Sequence, residues 1–162
     1  MTASNSMSSF WKLIIAVGIC EATGILSAFI SQTANNAWFD ALSKPSWNPP
    51  AYLFAPVWTT LYLLMGIALW LVWKSNSPES QKKFAIFIFA TQLFFNFWWS
   101  ILFFRIHSPA IALVDILLMV ITIILSIFSF AATSRTAAWL LVPYLAWVSF
   151  ATFLNYTIWS IN

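Results

Sequence analysis

Charge is what this chain has least of. Only 7% of its 162 residues are Asp, Glu, Lys or Arg, against about 25% in an ordinary soluble domain. Too few ionisable groups are present to wet a globular surface, so a soluble protein is excluded. Cysteine and histidine occur once each, as Cys20 and His107. No disulfide framework or thiolate metal site can be built from that supply, and no metal ligands are assigned. The net charge of +3 comes from scattered groups. No basic patch with groove-reading spacing exists, which leaves no case for a nucleic-acid partner. The polar, uncharged start from Met1 to Ser9 lacks the basic region and small-residue cleavage site of a secretory leader. The first apolar run is therefore expected to be kept as structure.

What is abundant is apolar and aromatic: 62% of residues are hydrophobic, 19% are aromatic, and the mean hydropathy is +0.86. A membrane-crossing helix needs about 20 mainly apolar residues. Five windows meet that length, at 11–30, 51–73, 84–104, 109–133 and 137–160. The runs are continuous rather than alternating at period two, which excludes a β-barrel. Only helices then satisfy the backbone in hydrocarbon. The expected fold is an all-α integral membrane protein, a single domain over 1–162 made of a five-helix bundle with no internal repeat. Lys12, Lys74, Lys82, Lys83 and Arg135 fall on one side and Lys44 and Arg105 on the other. The excess of positive charge predicts a cytoplasmic N-terminus and places the long first loop outside.

That loop carries the densest information. Between Trp38 and Pro50 it holds Trp38, Trp47, Lys44, Asn48 and the prolines Pro45, Pro49 and Pro50. Proline fixes φ near −65° and removes an amide donor, so the segment is expected to be a rigid amphipathic cover. An interfacial aromatic belt explains the two tryptophans equally well, but not the proline frame. Inside the spans, Gln92, Asn96 and Trp99 share one helix face at i, i+4 and i+7. That face suits either a ligand's carbonyl or carboxylate, or hydrogen bonding to a neighbouring helix. Tyr144, Trp147, Ala151 and Leu154 form a second stripe, open to the same two readings. Trp58 and Tyr62 lie just beneath the loop, two residues and more past Pro56, which should kink or start its helix. Asp115 is read as a group near a helix N-terminus. Glu21, midway along the first span, needs a proton or a partner there, and is the residue a proton-coupled exporter of lipophilic cations would use. Gly18/Ala22 and Gly24/Ala28 permit close helix approach, within the chain or between two copies.

These residues resemble a known family. The run Trp38-Phe39-x-x-Leu42-x-Lys44-Pro45-Ser46-Trp47-x-Pro49-Pro50, then Phe54-x-Pro56-Val57-Trp58-Thr59-x-Leu61-Tyr62-x-x-Met65-Gly66, is similar to the translocator proteins. These are also called tryptophan-rich sensory proteins or peripheral benzodiazepine receptors. Gln92-x-x-x-Asn96-x-x-Trp99, Ala112 to Asp115, and Pro143 to Trp147 with Leu154-Asn155-Tyr156 agree in register. The resemblance implies a five-helix bundle, often a homodimer, that binds porphyrins such as protoporphyrin IX or haem, sterols, and synthetic benzodiazepine-type ligands. It implies a pocket under the first loop lined by Trp38, Trp47, Pro49, Pro50 and Ala51, with Trp58 and Tyr62. Gln92, Asn96 and Trp99 would complete it from the third span, and Trp147, Ala151 and Leu154 from the fifth. In some bacterial members, tryptophans matching Trp58 and Trp147 are tied to light-dependent porphyrin breakdown, which the pigment itself sensitises. The family's proposed sterol motif needs a basic residue soon after a tyrosine. Tyr156 is followed by Thr157 to Asn162 with no Lys or Arg, so sterol binding through that motif is not expected.

The leading expectation is a membrane protein that binds, transports or senses tetrapyrroles, without enzymatic chemistry of its own, in a bacterial cell membrane. The rivals are the lipophilic-cation exporter using Glu21 and a light-dependent porphyrin-degrading enzyme.

Overall fold

The structure is a computed structural model and describes residues 7–162. Five helical stretches, Ser9–Ser31, Ala51–Trp73, Glu79–Arg105, Pro109–Ala131 and Arg135–Ile161, are long and apolar enough to cross a membrane. The protein is an all-α, multi-pass membrane protein. Of the polar start, Met1 to Ser6 lie outside the described residues.

Helix α1 (Ser9–Ser31) ends at Gln32, whose left-handed φ of 54° lets its amide cap two carbonyls of the last turn. A short 3₁₀ turn (Thr33–Asn35) and α2 (Ala37–Ala41) follow. The rigid amphipathic cover expected from Trp38 to Pro50 is thus helical as far as Ala41, a correction, because its first proline comes only at Pro45. Asn36 builds that turn, because its side chain accepts the Phe39 amide at 2.9 Å. Helix α3 (Ala51–Trp73) starts directly after Pro50. It runs through Pro56, so the proline neither starts it nor stands at its boundary. Helix α4 (Glu79–Ser100) begins five residues before the hydropathy window, because the polar run Glu79–Lys83 is already helical and carries an i, i+3 ion pair, Glu79–Lys82, at 2.9 Å. It passes into a π-helical turn over Ile101–Arg105, closed by Ile106 N–H donating to the Ile101 carbonyl at 2.9 Å.

Helix α5 (Pro109–Ala131) is capped by Ser108, not by Asp115. Asp115 lies in the second turn, largely buried, with Oδ2 lacking a partner among the described residues. The last span is not one helix. It divides into α6 (Arg135–Leu140) and α7 (Val142–Ile161), because Pro143 cannot donate to Trp139 and its ring crowds that carbonyl.

Helix α1 packs chiefly on α3, and α4 on α5, with α5 also covering α7. The α1–α3 crossing is set by Gly66: a Cβ built there would stand 2.5 Å from Val17 Cα. Backbone cannot give way as a side-chain tip can. Gly66→Ala is expected to destabilise the bundle by about 1–3 kcal/mol, read as a lower unfolding temperature in detergent. An unchanged transition would mean the two helices are free to separate. At the opposite end from the loop, Lys12 lies over Trp73 at 5.7 Å and Lys74 over Trp70 at 3.5 Å, cation–π contacts that gather positive charge at one rim.

Candidate functional site

The loop between α1 and α3 closes one end of the bundle as a lid, anchored through Asn36, Trp38, Ser43 and Trp47, with Phe39 packed edge-on against Phe103 and Phe104. Asn36 Nδ2 donates to the Phe104 carbonyl at 2.9 Å, at the π-helical turn. Trp38 stacks on His107 with ring centroids 4.4 Å apart, His107 being held in a left-handed conformation with φ of 58°. Ser43 exchanges two hydrogen bonds with the Asn162 side chain, at 2.9 and 3.0 Å. Trp47 stacks on Phe153 of α7 at 5.3 Å.

Beneath the lid, between α1, α3 and α4, lies a cavity of about 530 Å³, within the range of small-molecule sites. Its walls are mostly apolar and aromatic: Phe39 from the lid, Phe54 and Trp58 from α3, Trp99 and Phe104 from α4 and its π turn. These five side chains also bound a second, much smaller crevice of about 30 Å³ that reaches α7.

The residues singled out from sequence divide among these places. Pro49, Ala51, Trp58, Tyr62, Asn96 and Trp99 line the cavity. Trp147, Ala151 and Leu154 line only the crevice behind Trp58 and Trp99. Trp38 and Trp47 face away from the cavity and anchor the lid, Trp47 with 41% of its surface exposed. Pro50 caps α3. Gln92 is buried in the bundle rather than at the cavity surface.

The two amides of α4 belong to a buried network. Tyr62 donates its hydroxyl proton to Asn96 Oδ1. Asn96 Nδ2 donates to the Tyr144 hydroxyl at 2.8 Å, and Tyr144 in turn donates to Gln92 Oε1 at 2.9 Å. Tyr144 is fully buried, so its hydroxyl has no recourse to water. Three helices, α3, α4 and α7, are pinned together by one chain of hydrogen bonds. Asn96 thus serves both as helix contact and as cavity wall, while Gln92 serves the first role. Trp99 reaches past the cavity to donate Nε1 to Asn155 Oδ1 at 3.0 Å, and Asn155 donates to the Pro109 carbonyl at 2.8 Å.

The wall from α1 was missed from sequence. Glu21, Gly24, Ser27 and Ala28 line the cavity. Gly24 abuts the Tyr62 ring so closely that a Cβ there would fall 2.1 Å from Cε2. The signal was available: Glu21, Gly24 and Ala28 share one helical face, and a mid-span carboxylate turns inward. Gly18, by contrast, points outward, with no atom within 4 Å of a Cβ built on it.

A lid of this composition over an aromatic cavity, on five spans, invites comparison with known proteins. The chain is 43% identical over 150 residues to the tryptophan-rich protein TspO of Chlorobaculum tepidum, covering 93% of this chain and 95% of the relative. It is 38% identical over 151 residues to the protein of the same name from Archaeoglobus fulgidus, covering 93% and 97%. To the human translocator protein it is 40% identical over 135 residues, covering 77% and 75%. None of these names states a reaction. Residues 16–160 match the TspO/MBR family, a range that holds the lid, the cavity lining, three spans whole, and all but the first turns of α1 and the last residue of α7. The chain belongs to the TspO/MBR family.

Proposed function

We propose that this membrane protein binds flat, hydrophobic tetrapyrroles of the protoporphyrin IX or haem type beneath its lid, and holds or moves them rather than transforming them. The observation that carries this reading is the cavity of about 530 Å³ walled by Phe39, Phe54, Trp58, Trp99 and Phe104. Aromatic faces suit a planar macrocycle, and burial of its apolar surface at about 25 cal/mol per Å² supplies the affinity. Titration with protoporphyrin IX tests the proposal through quenching of the tryptophans. Saturable quenching at one site per chain is expected; quenching that rises linearly with added pigment would overturn it.

The lid's prolines should contribute to affinity. Pro45, Pro49 and Pro50 limit what the loop must lose in freedom when it closes. Replacing all three by alanine is expected to weaken protoporphyrin binding about three- to tenfold, with helical content by circular dichroism unchanged. Equal affinity in the folded triple variant would show that the lid's four anchors suffice without them.

The positive rim at Lys12, Lys74, Lys82, Lys83 and Arg135 supports a cytoplasmic N-terminus in a bacterial cell membrane, with the lid on the far side. The homodimer that the resemblance implies would pack through the outward Gly18/Ala22 face of α1, where the helix backbone is open to close approach.

A further inference from the structure

The polar groups around the cavity are unevenly matched. Several of its side-chain donors are spent inside the protein. The Tyr62 hydroxyl and Asn96 Nδ2 serve the buried network, and Trp99 Nε1 serves Asn155. Ser27 donates to the Phe97 carbonyl at 2.7 Å. Lys44, the only lysine or arginine on the lining, donates to the Asp40 and Leu42 carbonyls at 3.1 and 3.2 Å, and its ammonium sits over the Phe39 ring at 4.7 Å. Among the acceptors, Asn36 Oδ1 and Asn96 Oδ1 are taken by the Phe39 amide and the Tyr62 hydroxyl, but the charged one on α1 is not. Among the described residues the Glu21 carboxylate has neither a hydrogen bond nor an ion pair, the sole ion pair being Glu79–Lys82. A carboxylate held midway along a span without a partner is costly to keep.

Its surroundings say what partner would fit. Glu21 stands one turn before Gly24, on the face of α1 that meets the Tyr62 ring. Tyr62 is stacked with Trp58, ring centroids 5.6 Å apart. A carboxylate one turn from where α1 meets the Tyr62 ring, lining the same largely apolar cavity as the Trp58–Tyr62 stack, suits an organic cation. The anion neutralises the charge, the rings supply polarisable faces, and the walls bury the hydrocarbon body. A bare carboxylate ligand meets the reverse at this end, a like charge and no free donor cation.

We propose that Glu21 is the recognition point for a lipophilic ammonium: a planar apolar body bearing a protonated amine. The ammonium pairs with the Glu21 carboxylate against the Trp58–Tyr62 stack, and the body fills the space between α1 and α3. The proposal rests on the cavity being a ligand site but not on the tetrapyrrole reading.

Two probes of nearly equal shape test it: 9-aminoacridine, a cation at neutral pH, and acridine, which is neutral there. Both are titrated against purified protein in an uncharged detergent by tryptophan quenching. Wild type is expected to bind the cation about tenfold or more tightly than the neutral probe, and Glu21→Gln to bring the two within about twofold. Asp40→Asn, which removes the cavity's other carboxylate at its mouth, is expected to keep the preference. No preference in wild type, a preference that survives Glu21→Gln, or one lost in Asp40→Asn overturns the proposal. Should Glu21→Gln fail to fold, wild type still decides. Labelling of Glu21 by dicyclohexylcarbodiimide, mapped by mass spectrometry, is then expected to slow with 9-aminoacridine and not with acridine, and equal protection by both overturns it. Absence of saturable protoporphyrin quenching in the same wild-type protein would count against the tetrapyrrole reading alone.

Discussion

Replacing Asn96 by leucine is expected to cost the bundle about 2–4 kcal/mol, because two buried groups lose their partner in one step. Leucine branches at Cγ as asparagine does and is the larger residue, so no cavity explains the loss. The Tyr62 hydroxyl loses its acceptor and the Tyr144 hydroxyl loses its donor, while Tyr144 keeps its bond to Gln92 at 2.9 Å. Membrane interiors offer no water to take over, although hydrogen bonds between transmembrane helices average below about 1 kcal/mol when removed singly. The predicted effect is larger because Asn96 is the only member that bonds to two tyrosines on two different helices, α3 and α7. Thermal unfolding in detergent, followed by circular dichroism, measures it. Tyr144→Phe should cost less, and the double variant less than the sum, since both changes break the same bond. Strictly additive losses would show that the network is a set of independent contacts.

Trp58→Ala is expected to weaken protoporphyrin binding by about 2 kcal/mol, roughly thirtyfold, through lost apolar contact. Trp58 is one of the five aromatic walls common to the large cavity and the crevice. It stacks on Tyr62 at 5.6 Å and meets Tyr144 edge-on at 6.3 Å, so its ring is held in place before a ligand arrives. Removing it takes away a flat surface. Trp58→Phe keeps a flat apolar wall and should stay within about threefold of wild type. The measurement is the same quenching titration, with the remaining tryptophans as reporters. If the alanine variant, still folded, binds pigment as tightly as wild type, the pigment does not sit in this cavity.

Several features of this arrangement could be read in the sequence because they depend on local chemistry alone. Hydropathy over about 20 residues finds a span wherever it lies in a bundle. Pro45, Pro49 and Pro50 forbid a helix between α2 and α3 in any context. The shared face of Gln92, Asn96 and Trp99 follows from 3.6 residues per turn. The break at Leu141 was equally local, since Pro143 stands in the sequence, but the unbroken hydropathy of that span concealed it.

Periodicity says which side chains share a face; it is silent on what that face meets. Trp47 and Trp58 are alike as sequence signals, yet Trp47 lies against Phe153 on the outside of α7 and Trp58 lines the cavity. Gln92 and Asn96 lie one turn apart on one face, and only Asn96 reaches the cavity, because α4 passes from the bundle interior to the cavity wall between them. The approach of α1 to α3 through Gly66 and Gly24 brings Glu21 to the Tyr62 ring. A glycine in a sequence does not name the helix that will press against it. The sequence by itself determined the class of protein, its five spans and its proline-framed lid, since each is set by how a short segment meets lipid or closes its own backbone. Which side chains enclose the cavity, and that a carboxylate stands among them, was decided only when the helices packed, because that depends on the rotation and spacing of each helix against neighbours distant in the chain.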